Sequence, residues 1–358
     1  MNDEAMARLV LAGACEPGDP RIGQALAGDS AVAVVRRLAD GDPDLPARPG
    51  VGSAQAVAAM RALDLVGARW VVPGESEWPT QLDQLGVRAP FGIWVLGGGD
   101  LRLLALRSVA IVGARACTAY GAECAGELAY ELVQAGLTIV SGGAYGIDAA
   151  AHRGALAGGG ASAAVLAAGP DLLQPRGNES LFRAIAADGV LVGELPCGVR
   201  PRASRLLQRN RMIAALSRGT VVVEAAARSG ARRTAADARR LNRPVMAVPG
   251  PISSAVSAGC HAEIRDGSTL VASAAQIREM VEPVGSVLAA READPEPGVL
   301  AQRLLALLPA RGGVGLDRLV TTCGSATADV LAGLDELAAA GLVLESADGW
   351  RLATVRRG

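Results

Sequence analysis

A chain of 358 residues, half of them hydrophobic and 3% aromatic, holds enough apolar material for a large core and more than one domain. Its 35 basic and 36 acidic side chains leave a formal net charge of −1, so no global field draws it to nucleic acid, and any anion site has to be a local patch. The six cysteines form no C-x-x-C pair, the acidic start "MNDEAMARLV" lacks a signal peptide's basic region, and no apolar run reaches the ~18 residues of a membrane helix, which points to a cytoplasmic protein with reduced thiols, no metal and no membrane contact.

Residues 1 to about 100 are Ala-rich and helix-like, broken at "DGDPDLPARPGVG" and "VVPGESEWPT"; residues 1–70 are read as a helical domain. From Ser108 short aliphatic runs alternate with helical stretches: "SVAIVG", "LTIVSG", "SAAVLAAG", "VLVGEL", "TVVVEA", "PVMAVPG" and "STLVA". Unbroken apolar strands with helices between them predict an α/β, Rossmann-like, doubly wound and mostly parallel sheet over 71–285. "READPEPG" predicts a linker at 286–298. Residues 299–358 then offer three helices, the third capped by Ser325 and ending at Gly341, with Val330, Leu331, Leu334 and Leu337 at core spacing. A hairpin with Asp348-Gly349 in its turn follows, which predicts a winged helix. Its third helix carries Asp329, Asp335 and Glu336 and no Arg, a poor match to a duplex major groove.

In doubly wound sheets ligands sit at the carboxyl ends of strands, so the loops there are the ones to read. "VAIVGARACTAYG" has no G-x-G-x-x-G, and "SGGAYGID" lacks the Lys-Ser/Thr end of a P-loop. Two readings of the second loop stand side by side. Its N–H groups, next to a helix start, favour an anion; equally, it is a tight turn with Asp148 at a helix N-terminus and His152 one turn on. The arginines favour an anion. No acid lies between Glu194 and Glu224, a span holding Arg200, Arg202, Arg205, Arg209, Arg211 and Arg218. The next helix adds Arg228, Arg232, Arg233, Arg239, Arg240 and Arg243 against Asp237 alone. Every basic residue of the chain is Arg, which weakens any single one as evidence, but not this segregation. An anionic polymer is the expected partner.

"SVAIVGAR…YG", "SGGAYGIDAAAHRGAL", "RNRMIAALS", "VVVEAAARSGARRTA" and "AVPGP…AG", in this order and spacing, closely resemble the DNA-processing protein A (DprA/Smf) family over about Trp70 to Met280. The resemblance implies a dimeric, non-catalytic and cofactor-free protein that binds single-stranded DNA and hands it to the RecA recombinase during DNA uptake. By position it assigns DNA contacts to Arg115, to the loop glycines Gly142, Gly143 and Gly146, to Arg176, to Arg209, Asn210 and Arg211 of the R-N-R motif, and to Gly230 and Thr234. This chain departs from the pattern at Tyr145, at Gln174-Pro175, at Leu207-Gln208 where the family has an aromatic, and at Gly259-Cys260-His261. Tyr145 is then either a stacking platform in place of that aromatic or a packing residue. "RPGVGSAQAVAAM" (48–60) resembles a helix-hairpin-helix hairpin, against a purely structural helical reading.

A rival reading is an enzyme of the lysine-decarboxylase-like (LOG) nucleotide-monophosphate hydrolases, whose P-G-G-x-G-T-x-x-E motif places the catalytic Glu after the glycines. Here Glu224 precedes Ser229-Gly230, and "GARRTAAD" has no Glu at that place. A protein-interaction module without DNA contact is the third reading.

Overall fold

The structure, a computed structural model, describes residues 2–46, 53–282, 299–309, 312–339, 342–346 and 348–353. The chain divides into two compact units, Met1–Glu282 and Pro283–Gly358. The hairpin glycines Gly50 and Gly52 and the linker at 286–298 lie outside the described residues.

The first unit opens with short helices set by their caps. Asn2 caps α1 (Asp3–Ala14), Asp19 caps α2 (Pro20–Gly28), whose first position is Pro20, and Ser30 caps α3 (Ala31–Ala39). Helix α4 (Ser53–Val66) follows. Leu11, Ile22, Val34 and Leu38 form a small cluster of their own. Leu9 and Leu63, however, join Trp70, Phe182 and Leu191 in a core that belongs to the sheet, and the Trp70 indole N–H donates to the Ala5 carbonyl at 3.1 Å. The helical segment is thus bonded to the α/β body from its first turn.

The strands are β1 (Arg69–Val71), β2 (Ile93–Leu96), β3 (Ser108–Val112), β4 (Thr138–Ser141), β5 (Ser162–Val165), β6 (Val190–Gly193), β7 (Thr220–Val222), β8 (Val245–Ala247) and β9 (Thr269–Leu270). They form one nine-stranded sheet in the order β1-β2-β6-β5-β4-β3-β7-β8-β9, parallel from β6 to β9, with β1 and β2 antiparallel at one edge. Each apolar run read as a strand is one. All five residues of β3 are buried, as a strand covered on both faces requires.

Helices α5 (Leu101–Leu106), α9 (Ala203–Leu216), α10 (Gly230–Arg240) and α11 (Ala258–Arg265) supply the core of one face. Helices α6 (Ala119–Gln134), α7 (Ile147–Ala157) and α12 (Ala274–Val281) supply the other, with α8 (Glu179–Asp188) beside them. From β3 the chain builds outward to β6, then returns to the other side of β3 for β7. The strand order reverses between β3 and β7, and a crevice opens there at the carboxyl ends, as the topology of such sheets dictates.

In the second unit, α13 (Val299–Leu307), α14 (Leu316–Cys323) and α15 (Thr327–Ala339) precede a hairpin of β10 (Val343–Ser346) and β11 (Gly349–Leu352), and Val314 bridges to Trp350. This is the element order expected of a winged helix. Three details differ from the sequence reading. Leu331 is 38% exposed, while Val330, Leu334 and Leu337 are buried as expected. Helix α15 begins at Thr327, and the Ser325 hydroxyl donates to the Cys323 carbonyl. Gly349 pairs with Ser346 at φ 112° and so opens β11, a left-handed position that suits glycine.

Helices α6 and α7 cross through two glycines. A Cβ on Gly154 would lie 2.1 Å from the Gly126 carbonyl oxygen, whereas a Cβ on Gly126 would rest 3.9 Å from the Ala150 carbonyl. Gly154→Ala is therefore expected to destabilise by ~1–3 kcal/mol through overpacking. Gly126→Ala, in ordinary contact, is expected to stabilise by up to ~1 kcal/mol through helix propensity. Thermal unfolding of the two variants, shifting Tm in opposite directions, is the check.

Candidate nucleic-acid interface

The crevice is lined from both sides of the strand reversal. The loop after β3 brings Gly113 to Arg115, the loop after β4 brings Gly142 and Tyr145, and the loop after β7 leads into Ser229 and Gly230. The first turns of α9 form one wall with Ala203, Leu206 and Leu207. Two adjoining hollows of about 190 and 520 Å³ share Arg115, Ala144, Leu206 and Arg209. Arg115, Gly142, Tyr145, Arg209, Asn210, Gly230 and Thr234 are thus brought to one place. Arg176 stands beside it, next to Pro175 in the lining and to Gly177, whose N–H donates to the Tyr145 hydroxyl at 3.2 Å.

The glycine loop holds its own carboxylate. Asp148, buried at the start of α7, accepts from the N–H groups of Gly142 at 3.1 Å and Ala144 at 3.3 Å, and from that of Gly113. Of the two readings of this loop, the self-contained turn is the one its backbone adopts. Burial pushes the Asp148 carboxyl above the usual carboxylate range, against the pull of Arg209 and of those N–H groups. The glycines are needed for closeness. A Cβ on Gly142 would meet the Arg209 guanidinium at 2.4 Å, and one on Gly143 would meet the Phe182 ring at the same distance. Gly146, at φ 76°, lies against the backbone of Ala114 and Arg115.

Arg209 does not reach out of the crevice. It is 5% exposed and donates to the carbonyls of Gly142, at 2.7 Å, and of Val165, joining the ends of β4 and β5. Burial pulls its guanidinium down to about 10, with Asp148 acting the other way. Its Nε has no partner among the described residues.

Arg211 is a correction to the expected phosphate contacts. It is 1% exposed and makes a two-pronged ion pair with Glu194 at 2.7 and 2.6 Å, while its Nε–H and a second Nη1–H go to the carbonyls of Arg88 and Gln208. Four of its five N–H donors are thus taken up inside the protein. Asn210 and Thr234 also work internally: the Asn210 amide donates to the Gly230 carbonyl at 3.2 Å, tying α9 to α10, and Thr234 is 1% exposed.

The acid-free arginine run is corrected in the same way. Arg205 pairs with Glu16, Arg232 with Glu263 and Asp266, Arg239 with Glu263, and Arg233 and Arg240 with Asp237. Arg218 and Arg243 donate to backbone carbonyls. Segregation in sequence is largely undone by acids that arrive from elsewhere in the fold. Among the described residues, the exposed arginines of this region that keep no such partner are Arg200, Arg202 and Arg228, together with Arg115 and Arg176. They sit at the crevice rim: Arg200 and Arg202 flank Pro201, and Arg228 lies between Ala226 and Ser229, all three of which line it. The rim trio was in the run from the start. What the sequence could not show was which members the fold would neutralise.

Two further polar groups are structural. Glu224, at φ 96°, accepts from the Thr118 N–H and hydroxyl at 2.8 and 2.6 Å, which anchors the loop after β3 to the end of β7. His152 does not bond Asp148. Ser162 Oγ gives its proton to the Ile139 carbonyl, so it accepts from His152 Nδ1, which fixes the tautomer. Burial, and secondarily Arg209, pull the His152 pKa down to about 3.

The region from 69 to 282 matches the model of the DNA recombination-mediator protein A family, and the chain belongs to that family of α/β proteins. A Mycobacterium tuberculosis protein named as a candidate DNA processing protein DprA is 45% identical over 304 residues, 80% of this chain and 77% of that one. Protein Smf of Escherichia coli is 39% identical over 59% of this chain and 56% of its own. The crystal structure of Streptococcus pneumoniae DNA processing protein A superposes with a TM-score of 0.65 at 29% identity, covering 79% of this chain and 99% of that one. The Helicobacter pylori protein, described for its single-stranded DNA binding mode, gives 0.53 at 25% identity over 59% of this chain and 94% of its own. The expected family and the Rossmann-like fold are both met.

Two outcomes follow from the buried charges. Arg211→Ala strands Glu194 in the interior and is expected to cost ~3–5 kcal/mol, read as a lower urea midpoint with or without DNA. His152 stays neutral in the folded state down to about pH 3, while the unfolded chain takes up its proton near 6.5. Acidification through that window therefore favours unfolding, by ~1.4 kcal/mol per pH unit from this group. Asp148, raised by burial, acts in the opposite sense above 3.8. His152→Asn should flatten the acid limb of a stability-against-pH curve.

Proposed function

We propose that this protein binds single-stranded DNA, without sequence preference, along the crevice between β3 and β7, and hands the strand to the RecA recombinase as a non-catalytic dimer. The observation that carries the reading is the rim. Arginines without acid partners surround a floor of Ala144, Tyr145, Leu206 and half-exposed Leu207. A charged border over an apolar bed suits a strand whose bases are bare, because phosphates meet the guanidinium groups while base faces rest on the bed. A duplex keeps its bases stacked inside and gains only the border. The Helicobacter pylori relative's single-stranded DNA binding supports the same reading. The hand-over to RecA and the dimer come from the family resemblance. Glu224 and Asp148, the acids near the glycine loops, are taken up by Thr118 and by backbone N–H groups, which favours a binding surface over a hydrolase site.

Neutralising Arg115 and Arg176 together is expected to weaken binding of oligo-dT and to lower the slope of log K against log salt by ~0.7 per lost phosphate contact. Affinity and slope both unchanged would sink the proposal. Tyr145→Ala should cost ~1–3 kcal/mol of strand binding if the ring stacks on a base. Tyr145→Phe keeps the ring and loses only the bond to Gly177, so it should bind nearly as the parent does; anisotropy titrations of the three proteins separate the cases. A chain ending near Asp294 should retain strand binding, because the acidic α15 repels phosphate.

A further inference from the structure

Helix α10 has two charged faces of different balance. On one, Arg232 and Arg239 meet Glu263, and Arg232 also meets Asp266. Two positive charges face two negative ones. On the other, Arg233 and Arg240 converge with Arg88 on a single carboxylate, Asp237, which is 2% exposed. Only the Arg240 contact, at 2.8 Å, is a hydrogen bond; Arg88 and Arg233 stand at 3.6 Å. Three guanidinium groups therefore share one buried negative charge, and a local excess of two positive charges faces solvent. Asp83, the nearest acid in the chain to Arg88, accepts from the Trp78 indole. Arg243, at the end of the same segment, adds a further cation, bonded to the carbonyls that close α9 and to Gln84.

This second face is continuous with the crevice. Helix α10 begins there at Gly230, which accepts from Asn210, and Arg240 lies about 15 Å further along its axis. Arg88 belongs to the segment whose carbonyl holds Arg211 of α9. A chain that leaves the crevice along α10 meets Arg233 and then Arg240.

We infer that the Arg88, Arg233 and Arg240 face of α10 is a second phosphate track, which takes the backbone of a single strand after it leaves the crevice. The inference rests on the proposed reading of the crevice and adds a path and a length dependence to it. The spare guanidinium donors suit phosphate oxygens, and a phosphate relieves the mutual repulsion that Asp237 alone leaves in place.

The test uses the full chain and oligo-dT strands of increasing length, with anisotropy read across salt. In the parent protein the salt slope should rise with length and level off once the track is filled. Arg233→Gln with Arg240→Gln should leave the shortest strands unaffected and level off with a slope lower by ~1.4, two phosphate contacts. Arg233→Lys with Arg240→Lys keeps the charge and should retain the increment. A length dependence identical in the Gln pair and the parent overturns the inference, as does loss of the increment in the folded Lys pair. Neither outcome touches the crevice reading, which fails separately if Arg115 and Arg176 can be neutralised without effect at every length.

Discussion

The site depends on one pair of buried charges. Asp148 and Arg209 grip the same residue from opposite sides: the carboxylate takes the Gly142 N–H and the guanidinium takes the Gly142 carbonyl. Through Val165 the guanidinium also holds the end of β5, and through Gly113 the carboxylate reaches the loop after β3. Three strand ends are thereby fixed relative to one another by two side chains, both desolvated, each partly offsetting the other's burial. The glycines are the condition for this, since a Cβ at Gly142 would collide with the guanidinium.

Satellite contacts extend the same scheme to the rest of the crevice. Glu224 with Thr118 fixes the end of β7 against the loop after β3. Glu194 with Arg211 fixes the end of β6 against α9. Each places a charged group at a strand end and uses it up there, so the polar residues deep in the crevice are structural, and the groups left over are the arginines of the rim. Depth and exposure thus divide one set of basic residues into those that build the cleft and those that face a ligand.

Much of this was legible in the sequence. The apolar runs from "SVAIVG" to "PVMAVPG" are strands because runs of that length, buried on both faces, have few other structures open to them, and "STLVA" adds a short exposed strand at the sheet edge. The crevice followed from the placement of glycine loops after strands. The antiparallel β1 and β2 were not foreseen, because each is short and lies among turn-forming residues in the lead-in. The roles of Arg209 and Arg211 were not legible either. An R-N-R motif reads as basic, and nothing local says that helix α9 turns both guanidinium groups inward, one to the Gly142 and Val165 carbonyls and the other to Glu194. Ion pairing across 189 positions, as between Arg205 and Glu16, leaves no trace in a sequence window. Leu331 was assigned to the core by spacing alone, and spacing does not tell the edge of a buried stripe from its centre.

The acids that neutralise the arginine run reach it only when the chain is folded. Glu16 comes from the N-terminal helices, Glu194 from the end of β6, and Glu263 from α11. In the denatured ensemble the stretch from Arg200 to Arg218 is a bare polycation, open to any nucleic acid within reach, and such binding would draw the chain away from its native state by mass action. Folding therefore acts as a filter on charge. It withdraws most of a polybasic segment and leaves a few members at defined places, so that the charge pattern open to an anion in the native protein is not the one a nascent or damaged copy presents.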